Sequence, residues 1–394
     1  MKSFKWQLMT NNILPKDKNQ LIKFIKKSNK FTNGEKVREF EKKWSRWLGV
    51  KYSTFVNSGA SANLISLHIL KEIEPKKKEI IIPPFTWNSD VVSVLNAGFK
   101  PIFVDINLDN LALNENLVNK KINKNTAAIF LTHAMGFIGL SNKFLKLIKK
   151  KKILLIEDVC ESHGAKLNGK KAGTFGMISN FSFYYAHHMT TIEGGMICTN
   201  SKKLDVLAKM KRGHGLLRDS QDKKFIDQVK KKNPDLNSDF IFFTEGFNLR
   251  NDELSAVIGL EQIKRLDKNI KKRNYNHKLF LKNLRGDIFF KNFNLAGSSN
   301  YGLHLILKRK NKKLFKKVLK ILDINLIEYR IGSAGGGNQL RQPYLKKFKN
   351  KFKATKFYNT EHMHFYSLYI GNYPELSKSK IINLCKLLDN IKLN

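Results

Sequence analysis

From about residue 45 onward, short apolar runs alternate with longer amphipathic ones, and this alternation narrows the fold more than any other feature of the chain. "EIIIPPF", "KPIFVDI", "AAIFLTHAMG", "KILLIEDV", "NFSFYY" and "GMICTN" are too short for ordinary helices and are bounded by turn residues, so each reads as a buried strand. Between several of them lie helical patterns such as "SANLISLHILKEI" and "NKFLKLIKKK". Strand and helix in alternation predict an α/β fold with a mainly parallel sheet covered on both faces. After the long helical stretch "TEGFNLRNDELSAVIGLEQIKRLDKNIKKRNYNHKLFLKNL" the pattern becomes strand, helix, strand and closing helices. The expected division is a large α/β domain over 1–250 and a smaller one over 251–394. A chain of 394 residues, 42% of them hydrophobic, can fill two such cores.

The chain is strongly basic: 73 basic against 32 acidic residues give a net +41. The excess is mostly lysine, runs the whole length, and travels with many Asn, Ile and Phe, all residues of A/T-rich codons, so compositional drift accounts for it. No segment interleaves Arg with aromatics, and no nucleic-acid partner is expected. A positive field still draws in anionic substrates such as a nucleotide diphosphate. Cys160, Cys198 and Cys385 are dispersed, which argues against a disulfide framework, a metal site and an iron–sulfur cluster. Neither the N-terminus nor any later run has the apolar length of a signal peptide or membrane span, so the expectation is a cytoplasmic enzyme without membrane attachment.

Three short motifs could carry chemistry. Ser58-Gly59-Ala60-Ser61 follows a strand and opens a helix, where free backbone N–H groups either cradle a phosphate or are simply capped. In "LLIEDVCESHGA" a buried strand runs into Glu157 and Asp158, with Glu161 and His163 beyond; an acid at the carboxyl end of a parallel strand faces the crevice where such sheets bind ligands. "PPFTWNS" places Trp87 on a loop after another strand, as core or as a stacking face. The glycine-rich Gly332–Pro343 loop, "GSAGGGNQLRQP", is a connector or a ligand cover.

In this order the motifs resemble the DegT/DnrJ/EryC1/StrS group of fold-type I pyridoxal-phosphate enzymes, the sugar aminotransferases. The resemblance runs from "GEKVREFEKKWSRWLGVKYSTFVNSG" through "EGFNLRNDELSAVIGLEQIKRLD". It implies an aspartate aminotransferase-like fold, with a mainly parallel seven-stranded sheet and a smaller C-terminal domain. It also implies that Asp158 pairs with the pyridine nitrogen, Trp87 stacks on the ring, and Glu161, where relatives usually carry Gln, lies near the ring hydroxyl. Gly59, Ala60, Ser61 and Ser182 would hold the phosphate. Asn248 would reach over from a second subunit, so a homodimer is implied. His214, Arg218, Arg330 and Asn338 fall where relatives line the sugar-nucleotide pocket, although each also reads as a surface group.

One position departs from the group's pattern. In "FSFYYAHHMTTIEGG", His187 occupies the place where the aminotransferases carry the lysine that forms a Schiff base with the cofactor, and His188 follows it. The flanking "TTIEGG" fixes that register. Histidine cannot anchor the cofactor covalently but can act as a general acid and base. This pattern resembles the nucleotide-sugar 3-dehydratase branch. That implies non-covalent pyridoxal or pyridoxamine 5'-phosphate, L-glutamate as amino donor, a 4-keto-6-deoxy nucleotide sugar such as GDP-4-keto-6-deoxymannose as substrate, and His187 as acid/base. An aminotransferase working through His187 and a catalytically silent binding protein are the alternatives. "YRIGSAGGGN" departs from the group's Arg-Pro pattern and leaves sugar and nucleotide open.

Overall fold

A computed structural model describes residues 5–332, 334–348 and 352–391. Its main sheet is built from β1 (Tyr52–Val56), β2 (Glu79–Ile82), β3 (Lys100–Phe103), β4 (Thr126–Thr132) and β5 (Leu154–Asp158). A two-stranded hairpin, β6 (Lys166–Leu167) and β7 (Lys170–Lys171), intervenes before β8 (Ile178–Ser182) and β9 (Gly195–Thr199) complete it. The seven strands lie in the order β1-β9-β8-β5-β4-β2-β3, and β9 alone runs against its neighbours. Every residue of β4, β8 and β9 is buried, which is the consequence of helices covering both faces. All six quoted apolar runs are strands of this sheet.

The reversal of β9 has a positional consequence. β8 ends at the carboxyl edge of the parallel strands, and the chain turns back there through residues 183–194. The histidine pair is thereby held at the edge where α/β sheets bind ligands.

The second sheet is antiparallel, with β10 (Gly302–Ile306), β11 (Tyr329–Ile331) and β12 (Ser367–Gly371) in the order β10-β12-β11. Its central strand is missing from the pattern read in the sequence. "SLYIG" follows directly on the helix Tyr358–Tyr366 without a turn residue, so nothing local separates the two.

Packing crosses the expected divide at residue 250 in both directions. Trp6 joins the apolar cluster of the C-terminal sheet and donates its indole N–H to the Gly371 carbonyl at 3.1 Å. Conversely, Ala256 and Leu260 of the helix Glu253–Gln262 belong to the large-sheet cluster with Phe40 and Trp44. Glu253 ties that helix to the helix Glu35–Leu48 by accepting the N–H groups of Gly34, Lys36 and Val37 at 2.9–3.0 Å. A buried carboxylate thus satisfies orphan donors of a distant helix N-terminus. Glu253→Ala strands those donors and is expected to destabilise the protein by about 3 kcal/mol, with Glu253→Gln losing less. The shift of the urea midpoint measures both.

Candidate active site

Above the carboxyl edge of the sheet lies a cavity of about 980 Å³, lined also by Leu8 and Met9 from the N-terminal segment and by Gly335, Gly336 and Gln339 of the glycine-rich loop. The loop is docked there: Gln339 donates to the Thr86 and Gly335 carbonyls at 3.0 and 2.9 Å, and its backbone N–H donates to Pro84. Gly335 has φ +56°, and a Cβ on it would sit 2.4 Å from the Thr86 oxygen, so glycine is required for this approach. The loop is a wall of the cavity. Ser333 lies outside the described residues.

Glu157 and Asp158 are adjacent on β5 and therefore point to opposite faces. Glu157 is buried and accepts the N–H groups of Gly173, Phe175 and Gly176, with His133 Nε2 at 3.0 Å. Asp158 lines the cavity, accepting from Cys160 N at 2.9 Å and Asn63 Nδ2 at 2.8 Å. The same Asn63 amide donates to Asp90 at 2.8 Å, and Asp90 also accepts the hydroxyls of Thr86 and Thr132. Burial and the charge of Asp158 push the Asp90 carboxyl well above the usual range. Asn63 and Asp90 were not legible as site residues.

The phosphate cradle can be tested on this geometry. Ser58 caps the helix Gly59–Ile73 by accepting the Ser61 N–H, which leaves the first-turn N–H groups of Gly59 and Ala60 open toward the cavity. A Cβ on Gly59 would lie 2.6 Å from Ser182 Cβ and 2.9 Å from Cys160 Sγ, so helix start and strand end approach as closely as glycine permits. Ser182 lines the cavity opposite, and Trp87, 58% exposed, also lines it. An anionic group beneath an aromatic face fits these residues. Ser61 does not line the cavity: its hydroxyl donates to Asn57 Oδ1 at 2.6 Å.

His187 also lines the cavity, half-buried, with Nδ1 unpartnered. Burial, then the Arg273 guanidinium, lower its pKa to about 3, so the imidazole is neutral. His188 is fully buried and donates from Nε2 to the Ser299 carbonyl at 2.8 Å, which joins the loop to the C-terminal part of the fold. His163 packs against Trp44, Phe181 and Phe183 in the core. Glu161 lines the cavity beside Tyr301 and Tyr369; burial raises its pKa to about 7, although it accepts the Met135 N–H at 2.8 Å.

Arg273 and the tyrosines were missed in the sequence. Arg273 sits within a lysine-rich helix, Leu266–Asn283, and its signal was its place on the buried stripe of Leu266, Ile270, His277 and Phe280. Arg330 lines the cavity and pairs with Glu328 at 3.0 Å. Asn338 is buried outside it, donating to Glu361 at 2.7 Å and bridging to Phe85, a contact that holds the loop in place. Asn248, His214 and Arg218 are exposed and do not line the cavity of this chain; Arg218 donates to the Asp239 carbonyl at 3.1 Å.

Comparison with known proteins follows the same lines. The model of the DegT/DnrJ/EryC1/StrS aminotransferase family matches residues 12–389. A GDP-4-keto-6-deoxy-D-mannose 3-dehydratase of Yersinia pseudotuberculosis is 32% identical over 372 residues, covering 93% of this chain and 94% of that protein. The structure of an E. coli GDP-4-keto-6-deoxy-D-mannose-3-dehydratase with bound hydrated PLP superposes with a TM-score of 0.89 at 27% identity, over 98% of this chain and 100% of the other. A GDP-4-keto-6-deoxymannose-3-dehydratase with a trapped PLP-glutamate geminal diamine gives 0.86 at 28%, over 98% and 100%.

The buried imidazoles set a pH dependence. Burial lowers the pKa of His163, His188 and His304 well below 6.5, of His277 to about 4 and of His187 to about 3. Folded values lie below the unfolded one, so the unfolded chain takes up protons first as pH falls. Stability is full above about 6.5 and drops toward those folded values, at about 1.4 kcal/mol per pH unit and group. Glu161 and Asp90, raised by burial, offset part of this. The urea midpoint is expected to be lower at pH 5.5 than at 7.5, and His304→Leu to make that dependence shallower.

Proposed function

We propose that this chain, which belongs to the DegT/DnrJ/EryC1/StrS aminotransferase family, is a pyridoxal/pyridoxamine-phosphate-dependent 3-dehydratase of a 4-keto-6-deoxy nucleotide sugar. GDP-4-keto-6-deoxymannose is the substrate that the relatives favour. The observation that carries the reading is His187, a neutral base on the cavity wall, in a cavity that no lysine lines among the described residues. The cofactor is therefore held without a covalent bond. When bound it supplies an electron sink and a transferable amino group. In net terms, keto sugar and glutamate become 3-deoxy keto sugar, 2-oxoglutarate and ammonia.

The chain's own residues divide the work. The Gly59 and Ala60 N–H groups and the Ser182 hydroxyl bind the phosphate, while Ser61 acts through the helix start it helps to fix. Trp87 covers a ring face. Asp158, oriented by Asn63 and Cys160 N–H, holds the proton on the ring nitrogen. Glu161 hydrogen-bonds the ring hydroxyl. With the cofactor bound, the His187 imidazole would serve as the base that takes up a proton and as the acid that delivers it to the C3 hydroxyl as that group leaves. Arg330 contacts the sugar nucleotide.

Asn248, with His214 and Arg218, serves the cavity of a second subunit. Support comes from their exposure and from Phe240 and Phe242, 57% and 62% exposed, with Arg218 5.3 Å from the Phe240 ring centre, an apolar surface of the kind that a homodimer covers. The same reading makes the enzyme cytoplasmic, in keeping with its three free cysteines.

The test mixes the protein with pyridoxamine phosphate, L-glutamate and GDP-4-keto-6-deoxymannose and follows ammonia and product mass. A product short of one oxygen, with ammonia released, is expected. A 4-amino sugar without ammonia would establish an aminotransferase instead. His187→Lys is expected to cut deoxysugar formation by on the order of 10²-fold or more, and unreduced formation would remove His187 from its role.

A further inference from the structure

Arg273 is the one cation on the cavity wall without an acidic partner among the described residues, since Arg330 pairs with Glu328. It is 1% exposed. Nη1 donates to the Tyr301 and Asn372 carbonyls, Nη2 reaches only the Met9 sulfur at 3.6 Å, and Nε has no partner. The Nε–Nη2 edge, the side-on fork that matches a carboxylate, is therefore unsatisfied. A guanidinium withdrawn from water with no carboxylate in contact is costly, Glu375 acting on it only through its charge from farther off, and a thioether is a weak acceptor that an anion can replace. Met9 lines the cavity beside it.

We propose that Arg273 is the receptor for the α-carboxylate of the amino donor, which docks on its Nε–Nη2 edge in place of the Met9 sulfur. This rests on the dehydratase reading with glutamate as donor. Position decides between that carboxylate and the substrate diphosphate. Tyr301 joins Arg273 to the catalytic side chain, its carbonyl accepting from Nη1 at 3.1 Å and its ring lying 5.8 Å from that of His187. A donor's α-carboxylate is one carbon away from the carbon that bears its amino group, so it must lie close to the reacting atoms. The diphosphate hangs from C1, across the sugar ring from C4. Electrostatics agrees: Arg273 is the main charge depressing the basicity of His187, so a carboxylate arriving there also makes His187 a stronger base.

The experiment uses the protein loaded with pyridoxal phosphate and follows conversion to the amine form by absorbance. Two donors are compared: L-glutamate, and 4-aminobutyrate, which keeps the amine and the distal carboxylate but lacks the α-carboxylate. Wild type is expected to prefer glutamate strongly, and Arg273→Gln to reduce that preference by on the order of 10²-fold, with Arg273→Lys in between. A second readout needs no turnover: glutarate is expected to raise the thermal midpoint of the cofactor-free wild type and not that of Arg273→Gln. If wild type converts the cofactor with glutamate yet a folded Arg273→Gln keeps the preference, the inference falls and the functional reading stands. If wild type does not react with glutamate at all, the functional reading itself fails. Should Arg273→Gln not fold, Arg273→Lys and the wild-type donor comparison decide, and equal use of both donors by wild type overturns the proposal.

Discussion

The cavity depends on the direction in which Glu157 is drawn. Its carboxylate collects three backbone N–H groups from the loop that enters β8, and His133 approaches from the end of β4. Gly139 N–H donates to His133 Nδ1 at 2.9 Å, so Nε2 carries the hydrogen and donates to Glu157. Three strand ends are thus locked on the side of the sheet away from the ligand. With Glu157 fixed, the alternation of the strand leaves Asp158 no other face than the cavity. The polar chain Asp158–Asn63–Asp90–Thr132 then fixes the other side of the same strand ends.

What the sequence made legible is what local pattern determines. Apolar runs gave the strands of the large sheet, a small-residue segment gave the start of the helix Gly59–Ile73, and the segment around His187 has flanking residues that fix its register. The rest depends on contacts between residues far apart in the chain. β12 is a strand because β10 and β11 flank it, and "SLYIG" carries no turn signal of its own. Arg273 reads as one more cation among lysines until its helix is packed. Asn338 falls in sequence where relatives line the sugar-nucleotide pocket, and in this fold its amide donates to Glu361. Asn248, His214 and Arg218 are exposed and do not line this chain's cavity.

The cavity carries a charge balance opposite to that of the whole chain. A chain with net +41 lines its cavity with Asp90, Asp158, Glu161, Glu193 and Glu328 against two arginines. Lysine has accumulated on surfaces, where most substitutions change stability by no more than about 0.5 kcal/mol. A flexible ammonium inside the cavity would compete with Asn63 and the Cys160 N–H for Asp158.

Trp87 has a consequence of a different kind. Trp6 and Trp44 are buried, and Trp47 is partly covered with the Lys171 ammonium 4.8 Å from its ring centre. Trp87 alone among the four tryptophans is exposed, and it is exposed on the cavity. Indole emission responds to hydration, so the molecule carries a built-in optical gauge of whether the cavity is filled. Occupancy by a colourless sugar nucleotide is therefore readable from the protein's own light, without a labelled ligand.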